Sequence, residues 1–391
     1  MHLKFAKTAA RITAAGAVVA AVGLGSAQMA LAKPAPPTAN VPCSAAALSN
    51  AISDNTGGET LSLAKFCVYK LTAALPDITE DLTIDGNQGA IERSYAPGTP
   101  DFRIFTVDDA DLALNQVNLR NGDSGDNDGG AIYNDSGTVT VNGGTFTGNA
   151  VEDGNDGGAI YNDNELRVTG ATFTGNDAND GGDGGAIYND DNATITHSTF
   201  TGNGADEGGA IYIDDTTDVA DCNFTGNSAA DEGGAINVED GSPTVTGSGF
   251  YKNQAEYGGG LYADDVVTLT DSTFRLNQAA EDGGGMYNED VATVNGTTFA
   301  YNTAKSDGGG LYNEDAQTLN GVTFQHNQAD FGGGIYNDDD LVISDSRTMR
   351  NSATSDGGGI YNDDTVTPTN SLWTENTPDN CAGNSVAGCT D

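Results

Sequence analysis

Acidic side chains recur at two fixed places in nearly every unit of a repeated sequence. One carboxylate precedes a pair of glycines, as Asp183, Glu207 and Glu232 do, and a second acidic group follows the next short apolar segment. Carboxylates stacked in rows repel one another unless a cation bridges them, and oxygen ligands suit Ca²⁺. These three residues are therefore a candidate calcium site. The preferred interpretation is hydrated turn residues screened at physiological salt, so no metal or other cofactor is assigned.

Catalytic chemistry needs a singular arrangement of groups, and the repeated acids do not provide one. Asp pairs such as Asp190 with Asp191 recur in almost every unit, which is typical of structural turns. His197 and His326 are far apart in the sequence and lie in turn or strand contexts, so surface positions are the simpler interpretation. We therefore predict no catalytic residues and no enzyme activity.

A column of tyrosines is the other candidate site. The column consists of Tyr133, Tyr161, Tyr188, Tyr212, Tyr262, Tyr287, Tyr312, Tyr336 and Tyr361, with Asn237 in the one missing place. If these side chains face outward, stacked phenols flanked by Asn and Asp form a long amphipathic strip suited to a glycan or a partner protein. The alternative is a purely structural aromatic ladder.

The elements that carry these columns form a repeat of 24 to 28 residues. Each unit contains a version of Gly-Gly-Ala-Ile-Tyr-Asn, first seen at residues 129–134, and a Phe-x-x-Asn motif, first seen at residues 146–149. Short apolar alternations separated by Gly, Asn and Asp predict three strands per unit. Three strands per unit of this length predict a parallel β-helix of about ten regular rungs, preceded by irregular rungs and a short N-terminal capping helix.

The side-chain alternation of a strand predicts which columns face the core. We expect the columns of Ile132, Val141 and Phe146 to point inward, and Ala131 and Tyr133 to point outward. A shift of one residue would reverse this assignment. The Asn that ends Phe-x-x-Asn is expected at a bend, in the left-handed conformation, with its amide bonded to the rungs above and below.

Composition limits the partners and the location. The chain has 391 residues, with 15 basic and 57 acidic side chains and a net charge of −42. This charge argues against nucleic acid, anionic lipid and strongly acidic polymers as partners. Residues 1–32 combine a basic start, a short apolar run and Ala30-Leu31-Ala32, which is typical of a secretory signal peptide. We expect a secreted or cell-surface protein whose mature chain does not span the membrane.

The remaining boundaries follow from composition and cysteines. Residues 33–75 are predicted to be a Pro-rich lead-in and cap, residues 76–376 the β-helix, and residues 377–391 a C-terminal tail. In an exported chain, Cys43 with Cys67 and Cys381 with Cys389 are the economical disulfide pairs. Cys222 would then be left over inside the repeats.

Tandem Gly-Gly-Ala-Ile and Phe-x-x-Asn motifs resemble the polymorphic outer membrane protein repeat first described in chlamydial surface proteins. The resemblance covers about residues 128–376. It implies an all-β, right-handed β-helix of the pectin-lyase-like type and a non-enzymatic, adhesin-like role in binding an extracellular glycan or protein. The related enzymes of that superfamily define the alternative, a polysaccharide lyase or hydrolase.

Overall fold

The chain coils so that each strand pairs in parallel with the equivalent strands one turn before and one turn after it. The computed structural model describes residues 37–390, and the signal peptide predicted for residues 1–32 lies outside this range. Four parallel sheets, named A to D, run along the coil with 14, 13, 12 and 8 strands. The right-handed parallel β-helix expected from the sequence is confirmed, with about 14 turns.

Sheets A and B form two of the walls. Sheet A contains Thr38–Val41, Glu59–Leu63, Leu82–Asp85, Leu112–Asn115, Thr138–Asn142, Glu165–Thr169, Ala193–Thr196, Thr217–Ala220, Thr244–Thr246, Val267–Thr270, Ala292–Asn295, Gln317–Asn320, Leu341–Ser344 and Val366–Thr369. Sheet B contains Val68–Leu71, Ala90–Arg93, Asn118–Arg120, Thr145–Thr147, Thr172–Thr174, Thr199–Thr201, Asn223–Thr225, Gly249–Tyr251, Thr273–Arg275, Thr298–Ala300, Thr323–Gln325, Arg347–Met349 and Leu372–Thr374.

Sheets C and D complete the coil. Sheet C contains Phe105–Val107, Ile132–Asn134, Ile160–Asn162, Ile187–Asn189, Ile211–Ile213, Ile236–Val238, Leu261–Ala263, Met286–Asn288, Leu311–Asn313, Ile335–Asn337, Ile360–Asn362 and Cys381–Gly383. Sheet D contains Asp177–Ala178, Gly204–Ala205, Ser228–Ala229, Gln254–Ala255, Gln278–Ala279, Thr303–Ala304, Gln328–Phe331 and Ser352–Asp356. The three-strand unit predicted from the sequence omitted sheet D, because most of its strands are only two residues long and show no alternation.

Like residues stack on like in the core. The Phe column runs from Phe146 to Phe324, with ring centroids of consecutive rungs 4.2–5.0 Å apart. All of its side chains are buried, as are Ile132 and Val141 at the head of their columns. The inward columns predicted from the alternation are therefore confirmed. Each such side chain contributes about 1.5–3 kcal/mol by leaving water.

The Asn of Phe-x-x-Asn forms a buried ladder beside the Phe column. In each Asn of this column from Asn149 to Asn351, the side-chain Nδ2 donates to the Oδ1 of the equivalent Asn on the next rung at 2.9–3.1 Å. Asn376 is the acceptor of the last of these bonds. The predicted amide bonds between rungs are confirmed. The left-handed conformation was predicted for this Asn, and that prediction is wrong. The positive φ belongs to the preceding position, as at Gly148 and Lys252, because the Asn itself must direct its amide along the rod.

The glycines of the hexapeptide serve two steric needs. Gly129 has a φ of 65°, which favours glycine, and a Cβ on Gly130 would lie 2.4 Å from the carbonyl oxygen of Ala150. Ala131 was predicted to face outward, and this prediction is wrong, because Ala131 is fully buried at a bend before the strand begins. At Gly260, a later member of the same column, a Cβ would lie 2.7 Å from the Phe274 ring, which explains the glycine on that rung.

Both ends of the coil are closed by disulfides. Cys43–Cys67 and Cys381–Cys389 form as predicted, and Cys222 is a free, buried thiol. The helix Ala45–Ser53, capped by the Ser44 hydroxyl, covers the first turns as expected. It is the only helix of residues 37–390, and no helix in that range is long and apolar enough to cross a membrane.

The coil extends beyond the predicted boundaries of 76 and 376. Strand Thr38–Val41 of the expected lead-in already pairs with Glu59–Leu63. At the other end, Cys381–Gly383 of the expected tail pairs with Ile360–Asn362. These terminal strands lack the hexapeptide, because a terminal rung has only one neighbour to match.

Candidate functional site: the tyrosine strip

The strand of sheet C directs its central residue away from the core. In Ile132–Asn134 the flanking residues are fully buried and Tyr133 is partly exposed. The same alternation holds in Ile160–Asn162 and Ile335–Asn337. The tyrosines therefore lie on the outer face, in the phase preferred from the sequence. We name the nine tyrosines of this column the tyrosine strip.

The rings of the strip stack on one another along the rod. Consecutive centroids are 4.6–5.3 Å apart and the ring planes differ by 3–19°. Each ring thus covers the faces of its neighbours, so that the strip presents ring edges and hydroxyl groups to the outside. Tyr212, Tyr262 and Tyr287 are the most covered members, with exposed fractions of 7%, 4% and 8%.

The acids that precede the glycines form a first column with a structural task. Asp128 Oδ1 accepts the backbone N–H of Asp156 at 3.0 Å, and Asp156 Oδ1 accepts that of Asp183 at 2.9 Å. Asp183 Oδ1 in turn accepts the N–H of Glu207 at 3.1 Å. These contacts join consecutive rungs at the turn before sheet C and agree with the preferred turn interpretation.

The acids that follow the strand form a second column, which contacts the tyrosine hydroxyls. The hydroxyl of Tyr262 donates to Glu289, and that of Tyr287 donates to Glu314 Oε2 at 2.5 Å. Tyr336 donates to Asp363 Oδ2 at 2.6 Å in the same way. Each of these phenols is therefore hydrogen-bonded to a carboxylate one rung further along the rod.

Burial and crowding change the electrostatics of the strip. Burial raises the pKa of Asp183 to about 8, and the negative charges of Glu207 and Asp156 add to this shift. Burial likewise raises the pKa of Glu232 to about 8 and that of Glu207 to about 7. Several of these carboxyls therefore hold a proton near neutral pH, because a charged form would be both desolvated and repelled.

An arginine closes the N-terminal end of the strip. The guanidinium carbon of Arg103 lies 4.6 Å from the ring centroid of Tyr133, which is a cation–π contact. Burial lowers the pKa of Arg103, while Asp128, Tyr133 and Asp77 oppose this shift. The fold itself therefore contains an arginine that covers a tyrosine ring and has acidic side chains nearby.

The strip is broken once, at Asn237. This residue pairs with Tyr212 on the preceding rung and with Tyr262 on the following rung, so no ring lies between those two tyrosines. Its Nδ2 donates to Glu207 Oε2 at 2.9 Å, whereas its buried Oδ1 has no hydrogen-bond partner among residues 37–390.

The sequence carries a signal for this break, which the column-by-column predictions missed. In the first acidic column, glutamate replaces the more usual aspartate at positions 207 and 232, on the rung before the missing tyrosine and on its own rung. The inner column changes on the same rungs, where Ile213, Val238 and Ala263 replace Asn. Three coincident departures from a repeat mark a place that differs from the rest of the rod.

A cleft of about 330 Å³ lies on the strip immediately after the break. Its walls are Tyr and acidic side chains from both columns. It is lined by Glu232, Tyr257, Tyr262, Asp282, Tyr287, Glu289 and Glu314. Tyr257 occupies a first-column position and packs edge-on against Tyr287, with ring centroids 5.8 Å apart.

The candidate calcium residues are aligned but not convergent. Asp183, Glu207 and Glu232 lie in one column on consecutive rungs, and Asp183 already accepts a backbone N–H. Within residues 37–390, no group of three or more His, Cys, Asp or Glu side chains is arranged to hold a metal ion. The geometry thus gives no support to the calcium hypothesis.

The two histidines are not brought together. His197 and His326 each have a positive φ, of 52° and 56°, at turns on different rungs. His197 lies 3.5 Å from Asp221, and its side chain is 67% exposed. His326 stacks on Tyr301 with ring centroids 4.8 Å apart. Both positions agree with the surface interpretation made from the sequence.

Comparison with known protein families supports the resemblance. Residues 104–274 match the family described as right handed beta helix region. Residues 296–314 and 321–338 match the Chlamydia polymorphic membrane protein repeat. No curated protein and no solved structure matches the chain. The chain is therefore a right-handed parallel β-helix protein, and two segments of it match the polymorphic membrane protein repeat.

Proposed function

We propose that this protein is a non-enzymatic extracellular or cell-surface binding protein whose tyrosine strip is the contact surface. The partner is an extended glycan or a protein surface that is neutral or positively charged. The observation that carries the proposal is the regular outward ladder of phenols, each one rung apart and several bonded to carboxylates. Such a row offers hydrogen-bonding groups at a constant spacing to a partner that lies along the rod.

The charge of the strip restricts the partner. Two acidic columns border the tyrosines, and the whole chain carries a net charge of −42. A strongly acidic polymer would be repelled, whereas hydroxyl, amide, ammonium and guanidinium groups could donate to the carboxylates and phenols.

The location is supported by two independent features. The repeat belongs to a family of surface-associated membrane proteins, and this agrees with an extracellular role. Residues 1–32 carry the predicted secretory signal, which is the route such a role requires.

A binding screen with hydroxyl-deleted variants tests the proposal. The double variant Tyr312→Phe/Tyr336→Phe keeps the stacked rings and removes two hydroxyls. We expect its affinity for the strongest ligand of a glycan and peptide array to fall about tenfold, because two hydrogen bonds are lost. The control Thr318→Ala alters an exposed residue of sheet A and should bind as wild type does. Equal binding by the double variant would contradict the role of the strip.

Polysaccharide hydrolysis is the second candidate function. Glu207 and Glu232 have pKa values raised to about 7 and about 8, which suits a general acid. A lyase is less well supported, because no Lys or Arg occurs between Arg167 and Lys252. Release of reducing sugar by wild type, abolished in Glu207→Gln, would favour hydrolysis over simple binding.

A further inference from the structure

The tyrosine strip ends beside a cleft at its N-terminal side. Thr106 pairs with Tyr133 in sheet C and so holds the column position that tyrosines occupy on later rungs. Threonine has no ring to cover Tyr133, and the guanidinium of Arg103 lies over that ring instead, at 4.6 Å. The cleft has a volume of about 330 Å³, and its walls include Asp101, Phe102, Arg103, Thr106, Ser124 and Asn127. Sites for small ligands have volumes of about 300–1,000 Å³.

Arg103 brings hydrogen-bond donors to this cleft that nothing else in the fold uses. A guanidinium carries five N–H donors and no acceptor. Among residues 37–390, the Arg103 guanidinium makes no hydrogen bond and no ion pair, and its contact is the one with the Tyr133 ring. The side chain is only partly exposed. Because a partly buried cation loses part of its water, free donors in a cleft wall indicate a ligand with acceptor oxygens.

The neighbouring Arg93 is bonded in full and explains why Arg103 is free. Arg93 donates through Nη1 to Asp101 at 3.0 Å and through Nη2 to Asp123 at 2.6 Å. Its Nε donates to the Asn121 carbonyl oxygen at 2.9 Å. These bonds commit the two nearest acids to Arg93 and fix the loop that carries Arg103. The donors of Arg103 are therefore held in place before any ligand arrives.

The same cleft also carries acceptor groups. The side chain of Asp101 is 56% exposed although it is paired with Arg93. Asn127 donates its Nδ2 to the Ser124 carbonyl oxygen at 3.3 Å, whereas its Oδ1 has no hydrogen bond within the described part of the chain. A ligand in the cleft is thus offered donors and acceptors together.

The charges of the cleft favour a ligand without charge. A cationic group would meet Arg103 at short range. An anionic group would meet Asp101, together with the charges of Asp128 and Asp77 that act on Arg103. A hydroxyl both donates and accepts, and two adjacent hydroxyls match the forked N–H donors of a guanidinium. Sugar rings present such hydroxyl pairs, whereas a peptide backbone presents single carbonyl and N–H groups.

We propose that this cleft is a subsite for one uncharged sugar residue of a glycan that lies along the tyrosine strip. Two adjacent hydroxyls of the sugar accept from the Arg103 guanidinium, and one of them donates to Asp101. The amide of Asn127 bonds to a further hydroxyl. This inference rests on the proposed function and deepens it, because it selects a glycan over a protein and assigns a position to one sugar residue.

Small probes test the class of ligand on the full chain. The neutral probes are the methyl glycosides of glucose, galactose and mannose, and the uronide and the amino sugar of each are its charged analogues. In saturation-transfer NMR titrations we expect at least one neutral glycoside to bind about tenfold more tightly than its charged analogues. Absence of binding by every neutral glycoside would overturn the proposal. Equal or tighter binding of a charged analogue, or of N-acetylserinamide, would overturn the choice of an uncharged sugar.

Two variants test the position. Arg103→Lys keeps the charge and removes the fork of donors, and Asn127→Ala removes an exposed amide. Each should weaken binding of the neutral glycoside about fivefold to tenfold, because hydrogen bonds are lost. The control Arg120→Lys makes the same change at an arginine of sheet B that does not line the cleft, and it should bind as wild type does.

Two outcomes would overturn this position. One is unchanged binding in both cleft variants, and the other is a similar loss in Arg120→Lys. Circular dichroism confirms folding, and Asn127→Ala remains informative if Arg103→Lys is unstable.

The same set of proteins separates this inference from the proposed function. Tyr312→Phe/Tyr336→Phe should weaken binding of the array ligand and leave the methyl glycosides unaffected, because these tyrosines lie on distant rungs. Failure of the cleft alone gives no glycoside binding with a normal effect of the Phe substitutions. Failure of the strip alone gives glycoside binding that depends on Arg103, with no effect of the Phe substitutions on the array ligand.

Discussion

The side-chain amide of Asn237 donates a hydrogen bond to Glu207 at 2.9 Å, at the one place between Tyr133 and Tyr361 where the tyrosine strip lacks a ring. The contact links two features that distinguish this part of the strip. One is the missing tyrosine ring at position 237, and the other is the glutamate at position 207, where most rungs have an aspartate. Elsewhere the first-column acids bond to the backbone of the next rung. The tyrosine strip thus has one rung without a ring between Tyr133 and Tyr361, and the Asn237 Oδ1 on that rung is a buried acceptor without a hydrogen-bond partner among residues 37–390.

Removing one amide of the buried ladder should strongly destabilise the rod. The Asn253 side chain takes part in four hydrogen bonds, and Asn253→Ala removes all four and leaves the Asn227 N–H without its acceptor. We expect a loss of about 2–4 kcal/mol in the free energy of unfolding, measured by urea denaturation. The control Asn223→Ala alters an exposed residue and should cost less than about 0.5 kcal/mol. Similar effects of both substitutions would contradict the structural role of the ladder.

Stability should decrease as the pH rises through neutrality. The pKa of Asp183 is raised from 3.8 to about 8 in the folded chain, and those of Glu232 and Glu289 are raised to about 8 and about 7. Between the unfolded and folded pKa values, the folded state binds protons that the unfolded state has released. Stability is therefore greatest near pH 4 and is lost progressively up to about pH 8.

Thermal melting across this pH range measures the effect. We expect the melting temperature to fall by several degrees from the acidic to the alkaline end. Asp183→Asn should flatten the curve, since that group then no longer titrates. A melting temperature that rises over the same interval would contradict the assigned burial of these carboxyls.

Calcium removal should have no effect on stability. Asp183 already bonds to the backbone of the next rung, and no three acids within residues 37–390 converge on a common point. We expect the same melting temperature in EDTA and in calcium chloride. A lower value in EDTA that calcium restores would revive the calcium site at Asp183, Glu207 and Glu232, because a ligand of the folded state stabilises it.

Loss of the C-terminal disulfide should destabilise only the neighbouring rungs. The double variant Cys381→Ser/Cys389→Ser opens a loop with a sequence separation of 8 residues, which corresponds to about 2–3 kcal/mol. Each rung contacts only its neighbours, so hydrogen exchange should accelerate in Ile360–Asn362 and remain unchanged in Ile132–Asn134. Uniform acceleration along the rod would contradict this local cooperativity.

The fold could be predicted from the repeat, because residues at the same place in consecutive units are spatial neighbours on consecutive rungs. Since Phe146 and Phe173 occupy the same place in consecutive units, stacking of like on like followed from the period alone. Ala131 was misplaced because alternation applies only within a strand, and Ala131 precedes it at a bend. The short strands of sheet D, such as Asp177–Ala178, are too brief to show any period.

The site was predicted less completely than the fold. The outward phase of Tyr133 followed from the alternation, but the hydrogen bonds of Tyr287 and Tyr336 to acids of the next rung depend on side-chain rotamers. The importance of Asn237 lies in a departure from the pattern. Averaging over the units of a repeat hides such a departure, and only the contact with Glu207 shows what the substitution does.

The central claim is that the partner lies on the tyrosine strip, and hydroxyl-radical footprinting tests it most directly. The chain, alone and with its strongest array ligand, is oxidised and the modified tyrosines are quantified by mass spectrometry. We predict that the ligand protects Tyr161, Tyr188 and Tyr312, whereas Tyr95 and Tyr301, which are 71% and 43% exposed and lie outside the strip, remain equally reactive. Protection of Tyr95 or Tyr301 with no change along the strip would contradict the account.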